Sequence, residues 1–144
     1  MEPFEPTAVD LRDYVVFDPD ATAGRRVLVT DMVAIDLVCL EPQQVVRARR
    51  FADADVVYTV LGGLAWVVAD DREVTLEPLQ AVLVPAGVAH GLRNDSPDPL
   101  ILQVVVSPPD ELAAPPAPGR AGSRAAGTAP SPRFVERLRR ALGG

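Results

Sequence analysis

Pro85-Ala86-Gly87-Val88-Ala89-His90-Gly91-Leu92-Arg93-Asn94 is the stretch on which the fold turns. Proline fixes its own φ and glycine tolerates positive φ, so Pro85 and Gly87 predict a tight turn between two strands. His90 then opens the second strand, placed to point inward, and Asn94 offers its amide to cap the turn that follows. His90 is also the one histidine among 144 residues, so no site built from several imidazoles fits within a single chain.

Outward from this turn, residues 13–107 form short apolar runs separated by turn residues. The runs are Tyr14–Phe17, Arg26–Thr30, Met32–Leu40, Val45–Arg50, Val56–Leu61, Leu64–Ala69, Glu73–Leu76, Ala81–Val84, Ala89–Arg93 and Leu100–Val106. Their length and their content of β-branched residues predict strands, and Asp70-Asp71 predicts a two-residue hairpin. Many short strands at close spacing, with no 3.6-residue period, indicate an all-β sandwich or barrel. Leu64-Ala65-Trp66-Val67-Val68 and Ile101–Val106 are apolar on nearly every position. A strand with one wet face should alternate, so this predicts a second covering layer, read as a homodimer face.

Pro85, Gly87, His90 and Asn94 match, in type and spacing, the second conserved motif of the cupin superfamily, G-x5-P-x-G-x2-H-x3-N; Leu79 stands where its first Gly belongs. The first cupin motif is G-x5-H-x-H-x3-4-E-x6-G. With its last Gly on Gly62, it places Pro42, Ala48, Arg50 and Asp55 at its other positions. The resemblance covers residues 25–107 and implies a cupin double-stranded β-helix, a jelly-roll barrel.

Metal-binding cupins use the two His and the Glu of the first motif with the His of the second. The resemblance therefore implies Ala48, Arg50, Asp55 and His90 in those roles. Asp55 and His90 would be the ligands of any divalent metal, fewer than the three that catalytic zinc or non-haem iron sites use, so no cofactor is expected. Cys39 reads as core. Arg50 places a fixed charge where the family holds its metal, beside Asp55, His90 and Tyr58, and would suit a small carboxylate or phosphate. In the opposing reading, Arg50 turns to solvent beside Arg47 and Arg49 and apolar side chains close the cavity. His90 is either a general acid or base or a core histidine bonded to backbone or to Tyr58.

The charge divides the chain. Residues 1–112 hold 19 acids and 8 Arg, whereas residues 113–144 hold 6 Arg and one acid, Glu136. The expected organisation is a cupin domain over 1–112, a disordered Ala/Pro/Gly-rich linker over 113–130 and a short amphipathic helix over 131–144. Phe134, Leu138 and Leu142 form the apolar stripe of that helix, flanked by Arg137 and Arg140, and would dock on a protein partner or on the acidic domain. A net charge of −6 argues against nucleic acid. No signal-like or membrane-length apolar run occurs, so the expected location is the cytoplasm. Three functions are weighed: a metal-free small-molecule-binding or accessory cupin, a cupin enzyme (isomerase, cyclase or dioxygenase type), and an assembly protein docked through its last helix.

Overall fold

A computed structural model describes residues 3–110 and 113–115. After a single 3₁₀ turn, Leu11–Tyr14, come nine strands: β1 (Ala23–Val29), β2 (Ala34–Leu40), β3 (Val45–Arg49), β4 (Asp55–Gly62), β5 (Ala65–Ala69), β6 (Arg72–Leu76), β7 (Ala81–Val84), β8 (His90–Arg93) and β9 (Leu100–Ser107). They form two antiparallel sheets. The larger runs β1-β2-β9-β4-β7 and the smaller β3-β8-β5-β6. The expected linker and the expected helix, with Phe134, Arg137, Leu138, Arg140 and Leu142, lie outside the described residues apart from Ala113–Pro115.

Alternation sets the core. β4 buries Val56, Tyr58 and Val60, β9 buries Leu100, Leu102, Val104 and Val106, and β5 and β8 add Ala65, Val67 and Leu92 from the smaller sheet. The β5–β6 hairpin forms as the sequence predicts, with Ala69 opposite Arg72. No glycine is available in that turn, and Asp70 takes the left-handed conformation at φ 53; aspartate tolerates that region better than most residues. Asn94, fully buried, gives its Nδ2 protons to Leu40 O and Asp98 O and accepts from Ser96 N at 3.0 Å.

Tyr14–Phe17 departs from expectation. It is not a strand: Tyr14 ends the 3₁₀ turn, for which Asp10 is the cap. The segment lies across the outer face of the larger sheet, where Tyr14, Val15 and Phe17 pack on buried Leu37, Cys39 and Ile101. Its apolar content serves coverage rather than pairing. Part of the two-sided apolarity of β2 and β9 is thereby satisfied within the chain.

Candidate functional site

The turn at Pro85–Gly87 delivers His90 to the interior. Gly87 has φ 86 and its N–H reaches Phe51 O at 2.7 Å. Asp55 accepts the Ala86 N–H at 2.8 Å, so this carboxylate braces the turn. His90 is 2% exposed and opens β8 opposite Arg49. Its Nδ1 lies 3.1 Å from Val88 O, and its Nε2 lies 2.7 Å from the Tyr58 hydroxyl. A carbonyl can only accept, so Nδ1 carries the proton of the neutral ring, and Tyr58 donates to Nε2. The Tyr58 oxygen in turn accepts from Arg49 Nη2 at 2.9 Å. The guanidinium also stacks on Phe51, 4.9 Å from the ring centroid, and Phe51 meets His90 edge-on at 5.8 Å.

Each protonation state follows from this packing. Burial pushes His90 below the usual imidazole value; the Val88 hydrogen bond opposes this, and the charge of Arg49 adds to it. Burial raises Tyr58, against the pull of Arg49. Both groups therefore stay neutral near pH 7, and both ring nitrogens of His90 are engaged.

Arg49 is the member of this network that reaches open space. It lines a cavity of about 320 Å³ together with Thr22, Val38, Val46 and the segment Ala113–Pro115. Its guanidinium makes no ion pair among the described residues, and its buried Nε has no hydrogen-bond partner there. The other interior arginine is balanced: Arg26 forks onto fully buried Asp36 at 2.8 and 3.2 Å. Asp36 and Tyr58 both pair with Val104, so the two arginine clusters occupy one level of the interior.

The structure brings Tyr58 and His90 together as expected. Arg50 and Asp55 are both exposed and stand outside the network. Two features account for the difference. The first is a β-bulge in β3. Val46 pairs with Leu92 and Arg49 with His90, so three steps on β3 match two on β8. One extra residue reverses the parity of everything after it. Gly91 sits against the bulge, where an added Cβ would lie 3.2 Å from Val46 O and 3.3 Å from Ala48 N. The second is the Gly62-Gly63 doublet. Gly63 has φ +86, and a Cβ there would lie 2.3 Å from Pro99 O. It is the residue that must be glycine, and it therefore closes the first motif in place of Gly62. Every position then moves by one, to Gln43, Arg49, Phe51 and Val56. Arg49 and Phe51 face His90, and Val56 is core. Gln43 (φ 72) and Leu79 (φ 71) hold the left-handed backbone at the two opening positions that the motifs assign to Gly. The Gly doublet was the available signal, since it permits both registers.

A search with family models matches residues 36–107 to the model described as "Cupin domain". The chain is a cupin. The crystal structure of TT1209 from Thermus thermophilus is similar at 33% identity, covering 70% of this chain and 96% of that one, with a TM-score of 0.68. An uncharacterized conserved protein with a double-stranded beta-helix domain from Klebsiella pneumoniae follows at 22% identity, 72% and 91% coverage and a TM-score of 0.67. KdgF from Halomonas sp. is similar at 18% identity, 74% and 97% coverage and a TM-score of 0.65. Comparison with curated proteins gives no match. No helix among the described residues is long and apolar enough to cross a membrane.

The residues of this cupin do not fit the family's metal ion. Of the four ligand positions, now Arg49, Phe51, Val56 and His90, His90 alone carries a ligating atom, and its Nε2 accepts the Tyr58 proton. A guanidinium beside that position repels a cation.

Proposed function

We propose that this cupin binds a small organic anion, a carboxylate or phosphate, against Arg49, and does so without a metal. The observation that carries the reading is a half-buried guanidinium at a cavity wall with no acidic partner among the described residues. A cation drawn out of water needs a counter-charge, and a bidentate carboxylate or phosphate supplies both the charge and acceptors for the remaining N–H groups. Tyr58 holds one arm of the fork and Phe51 supports its face, so the group is oriented before the ligand arrives. The balanced Arg26–Asp36 pair provides no competing anion site.

Binding rather than catalysis is favoured because His90 stands behind Tyr58, with both nitrogens occupied and 2% of its surface exposed. It positions the tyrosine, and through it the arginine, and has no free nitrogen for a ligand's proton. Isothermal titration of the full chain with a panel of small carboxylates and phosphates tests the reading. At least one should bind, and Arg49→Gln should weaken it roughly 10- to 100-fold, as expected for charge-assisted hydrogen bonds. Silence across the panel, or an Arg49→Gln variant that binds equally well, overturns it.

A further inference from the structure

The cavity beside Arg49 offers a ligand one charge and little else that is polar. Val38, Val46, Ala48 and the segment Ala113–Pro115 line it, and Thr22, the one hydroxyl on the described lining, directs its proton to Val45 O at 2.9 Å. Arg47 also borders the cavity. It follows Val46, which lies opposite buried Leu92, so alternation turns the Arg47 side chain to the outer face with Trp66 and Val68. Part of the wall is the strap Ala113–Pro115. Ala113 is buried, and Pro115 is pressed so closely on β1 that a Cβ added to Gly24 would lie 2.7 Å from the Pro115 Cβ.

The free surface of the guanidinium is narrow. Tyr58 takes one donor and Phe51 covers one face. The Tyr58 hydroxyl accepts from Arg49 and gives its proton to His90, so it has none for a ligand. What remains is an edge that suits two coplanar oxygens. A phosphate seated there would turn its further oxygens, and up to a second negative charge, toward methyl groups. A dicarboxylate would do the same with its other end. Burying such a charge without a partner is costly. The volume of about 320 Å³, at about 30 Å³ for each water-sized group, has room for roughly ten non-hydrogen atoms.

We infer that the ligand is an aliphatic monocarboxylate, its carboxylate on the edge of Arg49 and its apolar body against Val46, Ala48 and the strap, with about seven carbons beyond the carboxylate as the upper limit. The inference rests on the anion site proposed above and narrows it in charge, in shape and in length. Val46 is the residue that gauges the length, because it projects inward from β3 and is partly buried against the core.

Isothermal titration of the full chain with the straight-chain acids from acetate to decanoate, and with succinate and inorganic phosphate, tests this. Affinity should rise roughly two- to fourfold per added methylene as apolar surface is buried, and should stop rising near octanoate. Butyrate should bind at least about tenfold more tightly than phosphate, and than succinate, which adds a second carboxylate at the same chain length. Val46→Ala should carry the break to longer acids and Val46→Phe to shorter ones, a shift that a change in stability alone would not produce. Phosphate or succinate equal to butyrate, an affinity flat along the series, or a break indifferent to both Val46 variants overturns the inference, and binding that is still lost in Arg49→Gln then leaves the anion site standing. Silence from every acid, from succinate and from phosphate overturns both.

Discussion

The two sheets of this cupin carry the same problem on their outer faces and solve it differently. On the larger sheet, Leu37, Cys39 and Ile101 are apolar on the side away from the core, and the chain lays Tyr14, Val15 and Phe17 over them. On the smaller sheet, Trp66 and Val68 face outward, and the side chain of Arg93, stacked 4.1 Å from the Trp66 ring centroid, is what the described residues place over that ring. Two-sided apolarity in a strand therefore does not by itself call for another molecule. It calls for a cover, and a segment distant in sequence supplies one as well as a partner does. What separates the two faces is what surrounds the apolar patch: the covered one is sealed, while the open one is edged by Arg47 on β3 and Glu73 on β6, neither of which makes an ion pair among the described residues.

The largest effect should come from stripping the cover off the larger sheet. Tyr14→Ala with Phe17→Ala should cost about 3–5 kcal/mol in urea unfolding, since two partly buried aromatic rings are lost together and one fully buried ring alone costs about that much. Cys39 reports the same event. Its thiol is pushed up to about 12 by burial, so a thiol reagent at neutral pH should leave the wild type almost untouched and modify the double variant readily.

A second test reaches the seam where Tyr58 of the larger sheet meets His90 of the smaller. Tyr58→Phe leaves His90 Nε2 and one Arg49 donor unsatisfied, and should cost about 1–3 kcal/mol. Chemical denaturation gives the value, and a loss below that range would mean that water replaces the hydroxyl.

Acid probes the same seam more gently. The folded-state pKa of His90 lies below its ordinary 6.5, so the unfolded chain takes up its proton first. Its contribution is fully present above about pH 6.5 and is lost as the pH falls through that value, with a slope of at most about 1.4 kcal/mol per pH unit. As His90 is the single histidine, His90→Gln should flatten the stability curve between about pH 5 and 6.5, above the range of ordinary carboxylates. A slope unchanged by the substitution would place the titrating group elsewhere.

The smallest effect belongs to the open face. Val68→Ser, measured where the protein is monomeric, should change stability by less than about 0.5 kcal/mol, as for surface positions generally. A large loss would show that the smaller sheet is covered from within after all.

Much of this was legible in the sequence, for local reasons. Pro85, Gly87 and Asn94 act through backbone geometry within a few residues, so the turn, the inward histidine and the cap could be read directly. Tyr58 as a partner of His90 was also readable, because both lie on strands with regular alternation. Arg49 was not. Its orientation depends on a bulge that leaves no mark in residue types, and the Gly62-Gly63 doublet admits two registers that differ by one. The Tyr14–Phe17 cover escaped for another reason: an apolar tetrapeptide reads the same whether it pairs in a ladder or lies across a sheet face, as this one does.

Three arginines, Arg47, Arg49 and Arg50, lie within four positions, yet one of them alone joins the buried tyrosine and histidine, because of where the bulge falls. A pocket built this way can be rewritten by length as well as by substitution. Insertion of one residue ahead of the bulge would carry Ala48 to the place of Arg49 and replace a cation by a methyl group with every original codon intact. A one-residue insertion or deletion in this strand therefore changes the chemistry of the cavity wall that Arg49 lines.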